Sequence, residues 1–243
     1  FTYSFRQRSI RYALGVASIL IVSNLLFSSS DQLIDSERSF FGVHKVKVTD
    51  SGKFKYLIHG STIHGAQHTA PALWKEPLTY FHRDGPIGRL FSAEEFPFSN
   101  IGVLGLGTGT LACYRRAGQK WTFFEIDPLV EEIARNSGNF HYLEMCAPDA
   151  DIVMGDARLS LKQFASDAFD LLVVDAFSSD SVPVHLVTSE AMDLYLSKLR
   201  PRGLVVFNIS NNLLTISSVA KFPSEIILSI SFPIVVFFLI SLL

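Results

Sequence analysis

The stretch Val103-Leu104-Gly105-Leu106-Gly107-Thr108-Gly109-Thr110 decides the fold. It joins an apolar run to three glycines at alternate positions, and a predicted helix over residues 111–117 follows at once. Glycines at a strand-to-helix turn let the backbone approach a ligand closely, and a helix N-terminus offers free N–H groups. Glycine-rich runs also occur in ordinary turns, so the surrounding sequence has to support a binding role.

That support comes from a second predicted strand, residues 121–126. Glu125 lies near its end, 20 residues after Gly105. In a nucleotide-binding βαβ unit, an acidic residue at this place accepts hydrogen bonds from both ribose hydroxyls. The two features together predict a nucleoside-binding, Rossmann-like site.

Strand and helix patterns alternate through the rest of this region, which indicates an α/β fold. Further strands are predicted at 151–154, 169–174 and 204–207, and further helices at 127–136, 159–165 and 189–199. Asp127 is the expected N-cap of the first of these helices, with Pro128 at its first position. Continuous apolar strands between amphipathic helices predict a parallel sheet with helices on both faces.

In such a sheet the ligand crevice lies at the carboxyl ends of the strands. Gly105, Glu125, Asp156 and Asp175 all fall there. Three acidic residues at successive strand ends are the strongest functional indication in the sequence. Asp156 and Asp175 as simple turn caps are the structural alternative.

Composition, charge and cysteine count limit what the protein can bind and where it functions. The 243 residues are 48% hydrophobic and 18% charged, and the formal net charge is −2, which disfavours a nucleic-acid partner. Two cysteines, Cys113 and Cys146, match no zinc spacing and are expected to be buried thiols in a reducing compartment. The chain begins at Phe1 rather than Met, so we expect a fragment or a processed product.

Both ends of the chain are hydrophobic, and the sequence divides into four parts. Residues 1–30 contain an apolar segment, 13–27, behind Arg6, Arg8 and Arg11, and a membrane-helix remnant is favoured there over a buried helix or a signal sequence. Part 31–98 is the expected N-terminal module with its substrate loop. Part 99–210 is the expected Rossmann-like domain. In part 211–243, the uncharged run 226–243 fits either a marginal membrane helix or a buried, aberrant tail. We therefore predict membrane association, with the catalytic domain in the cytoplasm.

The N-terminal module is predicted to be a β-hairpin of strands 42–48 and 53–58. A loop with four histidines follows, and these are His59, His64, His68 and His82. Glycines beside the first two disfavour a helical metal site, and no carboxylate pair stands nearby. No metal is therefore predicted, and the histidines are expected to line the mouth of a substrate site.

Taken in order, these motifs resemble the spermidine synthase (polyamine aminopropyltransferase) family, in particular the bacterial form fused to a membrane domain. The resemblance covers about residues 37–210. It is carried by Tyr80, Gly105-Leu-Gly107-Thr-Gly109, Phe124-Glu125-Ile-Asp127, Gly155-Asp156-Ala157 and Val174-Asp175-Ala-Phe-Ser-Ser-Asp180. The glycine loop alone is similar to that of any S-adenosylmethionine-dependent methyltransferase.

The resemblance implies an aminopropyl transfer from decarboxylated S-adenosylmethionine to a diamine such as putrescine. Glu125 would hold the ribose, Asp156 would lie by the adenine amino group, and Asp175 would be the catalytic base. The remaining donor contacts would come from Gly105, Gly107, Thr108, Gly109 and Ala157, and the amine contacts from Asp180, Tyr80 and Gln67. Decarboxylated or ordinary S-adenosylmethionine would be a co-substrate, with no permanently bound cofactor, and a homo-oligomer is compatible with the resemblance.

Three departures weaken the polyamine activity but not the fold. The family loop reads Gly-Gly-Gly-Asp-Gly, and its aspartate, which contacts the donor amine, is Thr108 here. His59-Gly60 replaces an Asp-Gly pair, and the spacing from Asp175 to Asp180 is longer by two residues. Two other functions therefore stay open: an S-adenosylmethionine-dependent methyltransferase, and a catalytically inactive, membrane-tethered nucleoside-binding module. In the second case Gln67 and Tyr80 would be ordinary loop residues.

Overall fold

The computed structural model describes residues 8–27, 30–93, 98–176, 183–209, 226–231 and 235–241. The chain forms two units, residues 1–32 and 33–243. The first contains helix α1 (Ser9–Phe27), which covers the apolar segment expected to be helical. No helix among the described residues combines the length and the hydropathy that a membrane crossing needs, so the predicted span is not supported.

The N-terminal module is a four-stranded antiparallel sheet rather than a hairpin. Its strands are β1 (Gln32–Arg38), β2 (Val43–Val48), β3 (Phe54–His59) and β4 (Thr62–His68), and they pair in chain order. The predicted hairpin is its β2–β3 pair, in which Val46 lies opposite Leu57. Strand β4 covers residues expected to form a loop. Its glycine and histidines have little preference for strands, and pairing with β3 overrides that preference.

The larger sheet carries the Rossmann-like topology. It contains β5 (Asn100–Leu104), β6 (Lys120–Glu125), β7 (Asp151–Met154), β8 (Phe169–Val174), β9 (Leu199–Ile209), β10 (Ile226–Ser231) and β11 (Val235–Ser241). The order is β10-β11-β9-β8-β5-β6-β7, and the five strands from β9 to β7 are parallel, which confirms the predicted sheet. Strands β10 and β11 form an antiparallel hairpin against β9, so of the two alternatives for this tail the membrane helix was wrong for these residues.

The helices of this unit are α2 (Pro86–Ser92), α3 (Pro128–Arg135), α4 (Tyr142–Cys146), α5 (Ala157–Leu161) and α6 (Ser189–Lys198). The helix expected at 111–117 is instead a short 3₁₀ turn, Thr110–Tyr114. Arg115 leaves it in an extended conformation and pairs with Asp149, so tertiary contacts end the turn early. Asp127 caps α3 as predicted, because its carboxylate accepts the backbone N–H of Leu129 at 3.0 Å.

Apolar side chains cover both faces of the sheet, which is why its strands are continuous hydrophobic runs. One face buries Ile101, Val103, Trp121, Phe123, Leu171 and Val173. The other buries Leu104, Phe124, Leu172, Val174, Val205 and Phe207 against residues of α5 and α6. Each large apolar side chain buried in this way contributes about 1.5–3 kcal/mol to folding.

Cys113 and Cys146 form a disulfide, with 4.9 Å between their Cα atoms. The expectation of two reduced thiols was therefore wrong. The spacing of 33 residues gives no hint of the pairing, and only the fold brings the 3₁₀ turn next to α4. The bond fastens the segment after the glycine loop to that helix.

Candidate active site

The register of the parallel sheet gathers the predicted site residues at one edge. Leu104 lies beside Phe124 on β6 and beside Val174 on β8, and Val174 lies beside Phe207 on β9. The next residue of each strand therefore reaches the same level, and these residues are Gly105, Glu125, Asp175 and Asn208. The chain runs from β5 to β6 and β7 on one side and then crosses back to β8 on the other side of β5, so this edge is the switch point where such sheets bind ligands.

The glycine loop can lie against its neighbours only because two of its residues lack side chains. Gly105 and Gly107 have φ of +104° and +54°, which other residues rarely adopt. A Cβ at Gly105 would collide with the backbone of Asp175, and one at Gly107 would collide with the carbonyl of His64. The loop therefore touches both the end of β8 and the N-terminal sheet.

Thr108 is buried and is not among the described residues that line the cavity. Its side chain is 1% exposed, packs against Gly65 of β4 and lies 2.8 Å from the hydroxyl of Thr110. This contact explains a glycine at position 65, since a Cβ there would overlap the Thr108 side chain. Gly109 lies likewise against Leu143 of α4.

Glu125 is 8% exposed and binds three backbone N–H groups. Its Oε2 accepts from Leu106 at 3.0 Å, and its Oε1 accepts from Ile126 at 2.8 Å and Asp127 at 3.0 Å. Burial raises the pKa of this carboxyl group, while the three hydrogen bonds act in the opposite direction. The carboxylate thus links β6 to the glycine loop and still lines the cavity described below.

Asp175 stands between three polar groups at the end of β8. Its Oδ1 accepts a hydrogen bond from Asn208 Nδ2 at 2.5 Å, and the Tyr80 hydroxyl faces the same carboxylate. Burial, with a smaller contribution from the charge of Glu125, raises the pKa of Asp175 to about 7 against the lowering effect of Asn208 and Tyr80. Burial and the Asp175 carboxylate in turn raise the pKa of Tyr80 well above its usual value.

Asp156 caps a helix and also lines the cavity described below. Its Oδ1 caps α5 by accepting the N–H of Leu159 at 2.8 Å, and its Oδ2 lies 2.9 Å from His185 Nε2. Asp156 and Ala157 both line the cavity. A second carboxylate–histidine pair, Asp127 with His44 at 2.8 Å, lies on the side of the N-terminal sheet.

These groups surround one cavity of about 540 Å³, a size typical of small-molecule sites. Its walls are mostly apolar, with the polar groups at one end of the strands. The described lining residues include Gly105, Gly107, Glu125, Asp156, Ala157, Asp175 and Tyr80. Histidines 59 and 64 also line it, and within the described ranges no cluster of three or more ligating side chains is arranged for a metal.

Three predicted site residues do not appear among the described lining residues. They are Gln67, Thr108 and Gly109. Gln67 is 1% exposed; its amide donates to the carbonyl of Trp74 and accepts from the N–H of His141. These two bonds connect β4 to Trp74 and His141. Asp180 lies outside the described residues.

Three polar residues beside the cavity or its carboxylates were not predicted from the sequence: His44, His185 and Asn208. Asn208 could have been found, because it comes directly after the predicted apolar strand 204–207, as Asp175 comes directly after strand 169–174. His44 lies in an alternating strand and His185 in a 3₁₀ turn, and no motif marks either position. Only the tertiary structure places them beside carboxylates.

The parallel sheet, with the glycine loop at its switch point and acidic residues at its strand ends, defines a Rossmann-like domain. Solved structures share this fold. A probable spermidine synthase from Corynebacterium glutamicum is similar with a TM-score of 0.60 and 17% identity, over 73% of this chain and 64% of that one. Spermidine synthase from Thermotoga maritima gives 0.62 and 20%, over 86% and 72% of the two chains.

A spermidine synthase in complex with the transition-state analogue AdoDATO gives 0.63 and 18%, over 86% of this chain and 73% of that one. The chain thus spans less than two thirds of the length of the Corynebacterium glutamicum protein. The sequence matches no protein-family model and no curated protein. At these identities the likeness concerns the fold.

Proposed function

We propose that this chain is a spermidine synthase-like aminopropyltransferase, which moves an aminopropyl group from decarboxylated S-adenosylmethionine to a diamine such as putrescine. The observation that carries the proposal is the Asp175 carboxylate, which lines the cavity beside Tyr80 and has its pKa raised to about 7. A general base works best when its pKa lies near the working pH.

The chemistry requires such a base. An alkylammonium has a pKa near 10, as lysine does, so the amine must lose a proton before it can attack carbon. In the proposed step the amine nitrogen forms a bond to the methylene carbon beside the sulfonium. The carbon–sulfur bond breaks, and its electron pair stays on sulfur, which leaves neutral methylthioadenosine. The amine proton passes to the Asp175 carboxylate, and alignment of nitrogen, carbon and sulfur supplies much of the rate enhancement.

The donor would lie along the carboxyl edge of the sheet. Glu125 would accept hydrogen bonds from the ribose, and Asp156 would accept one from the adenine amino group. Both carboxylates line the same cavity as Gly105 and Gly107, which fits a single ligand that extends from β7 to β5. The structural neighbour in complex with AdoDATO supports a small-molecule donor of this kind.

Methyl transfer from S-adenosylmethionine is the second candidate, and Thr108 favours it. The glycine loop carries no carboxylate to select the amine tail of the decarboxylated donor, and Thr108 itself is buried against Gly65. Ordinary S-adenosylmethionine, which keeps its carboxylate, would then meet no repulsion from this loop.

One incubation separates these functions. The purified chain is mixed with putrescine and either donor, and the sulfur-containing product is identified by mass spectrometry. Methylthioadenosine indicates aminopropyl transfer, whereas S-adenosylhomocysteine indicates methyl transfer. Donor binding without either product would contradict both reactions and would identify a catalytically inactive nucleoside-binding module. Membrane association and a homo-oligomeric state stay predictions from the sequence.

A further inference from the structure

Asn208 is buried beside the carboxylate of Asp175. The side chain is 1% exposed, and its Nδ2 donates to Asp175 Oδ1 at 2.5 Å. The register explains the contact, because Val174 of β8 lies beside Phe207 of β9 and each polar residue comes one position later. A backbone pairing within the core therefore holds the two side chains together.

The rest of the Asn208 side chain has no competing bond. Its Oδ1 is buried and has no hydrogen-bond partner among the described residues. Among the described residues, the hydrogen bond to Asp175 is therefore the contact that orients the Asn208 amide. An ionised carboxylate only accepts hydrogen bonds, so the amide must turn its NH₂ group toward Asp175.

We propose that Asn208 is a positioning residue for the Asp175 carboxylate, which it holds in its ionised form and in one orientation toward the cavity. The inference rests on the proposed function in that Asp175 is there the base. It assigns a role to a residue that neither the motifs nor the cavity lining identifies.

A neutral donor suits this place better than a cation. A lysine or arginine would pair with the carboxylate and lower its pKa strongly, which would make it a weak base. The amide stabilises the ionised form while adding no charge to a cavity expected to take a cationic amine. Among the described residues, the titratable groups that face Asp175 are Tyr80 on the side of the N-terminal module and Glu125 on β6.

The substitution Asn208→Leu keeps the approximate volume and removes the donor. We expect the ionisation of Asp175 to move upward by about one pH unit or more, because hydrogen bonds to charged groups are among the stronger ones. The acidic limb of kcat/KM should move by the same amount, so activity lost near pH 7 should return near pH 9. Asn136→Leu, at an exposed position after α3, is the matched control and should move neither quantity.

The ionisation is measured directly by carbon NMR of the chain labelled at its aspartate carboxyl groups, with Asp175→Asn used to assign the resonance. This readout needs no turnover, so an inactive wild-type chain would count against the proposed function and leave this test intact. An unchanged or lower midpoint in Asn208→Leu would overturn the positioning role. A rate reduced equally at all pH values, with that midpoint unchanged, would indicate a purely structural role. Should the leucine variant not fold, Asn208→Ser removes the same bond through its shorter side chain, and the same upward shift is expected.

Discussion

The Glu125 carboxylate binds the backbone N–H of Leu106 at 3.0 Å and thereby sets the position of the glycine loop. The group expected to hold the ribose therefore also holds the loop that is expected to approach the donor. Binding and loop geometry cannot be varied independently at this residue.

Glu125→Gln is expected to weaken nucleoside binding at least tenfold, because charge-assisted hydrogen bonds contribute about 1.5–3 kcal/mol each. The variant should also unfold at a lower temperature, since its NH₂ group must face one of the backbone N–H groups that the carboxylate accepts. Calorimetric titration and thermal denaturation measure the two effects. Glu132→Gln, at an exposed position on α3, is the control and should change neither. Unchanged affinity in Glu125→Gln would place the ribose elsewhere.

Asp175→Asn is expected to lower turnover about 10²-fold or more while donor affinity stays the same, because general-base catalysis contributes about 10²–10⁴-fold. In the wild-type chain, kcat/KM should rise with pH through about 7, as the base loses its proton. Rate measurements from pH 5 to 9 test both points. A fully active variant would leave Asp175 as a turn cap.

The same substitution should change how stability depends on pH. The folded-state pKa of Asp175, about 7, lies above the ordinary value of 3.8, so folding favours the protonated form. Stability from this group is therefore fully present below pH 3.8 and is lost as the pH rises through about 7. At pH 8 the free energy of unfolding of Asp175→Asn should exceed that of the wild-type chain by on the order of a few kcal/mol, and its melting temperature should be higher. This difference should disappear near pH 4. Calorimetric scans at both pH values test this, and equal differences at the two would contradict the raised pKa.

Thr108→Asp is expected to destabilise the chain rather than to select the decarboxylated donor. The new carboxylate would be buried against Gly65 and the Thr110 hydroxyl, where an unpaired charge costs several kcal/mol. Thr108→Val keeps the shape and loses one hydroxyl contact, so its cost should be about 1 kcal/mol. Thermal denaturation compares the two variants. A stable Thr108→Asp chain with a new preference for the decarboxylated donor would show that this side chain does reach the ligand.

Reduction of the Cys113–Cys146 disulfide is expected to lower the free energy of unfolding by about 2–4 kcal/mol. The double variant Cys113→Ser, Cys146→Ser should behave as the reduced wild-type chain does and should no longer respond to reductant. Denaturant titration with and without reductant measures the change. Two reactive thiols in the unreduced, unfolded chain would contradict the bond.

Much of the sheet followed from the sequence, because continuous apolar runs and strand-end polar residues are local signals. Strands 151–154 and 169–174 were predicted with the bounds that the structure shows. The glycine loop was identified, but the helix expected after it is a 3₁₀ turn, since the bonds of Arg115 and Arg116 to distant groups end it. Local propensity carries no information about such contacts.

The side-chain contacts of the site were less predictable. Gln67 and Thr108 are the right types of residue for substrate contacts, yet both turn into the interface between the N-terminal sheet and the larger one. The orientation of each side chain depends on what packs against it, here His141 and Gly65. Asn208 obeys the strand-end rule, but its bond to Asp175 depends on the register between β8 and β9.

The disulfide also has a mechanical consequence. It closes a covalent ring over a separation of 33 residues, and that ring contains β6 with Glu125 and the N-cap Asp127. A force applied to the two ends of the chain passes from Cys113 to Cys146 through the sulfur atoms, so the ring bears no load. About 33 residues are thereby withheld from extension, on the order of 110 Å of chain that only a reductant releases.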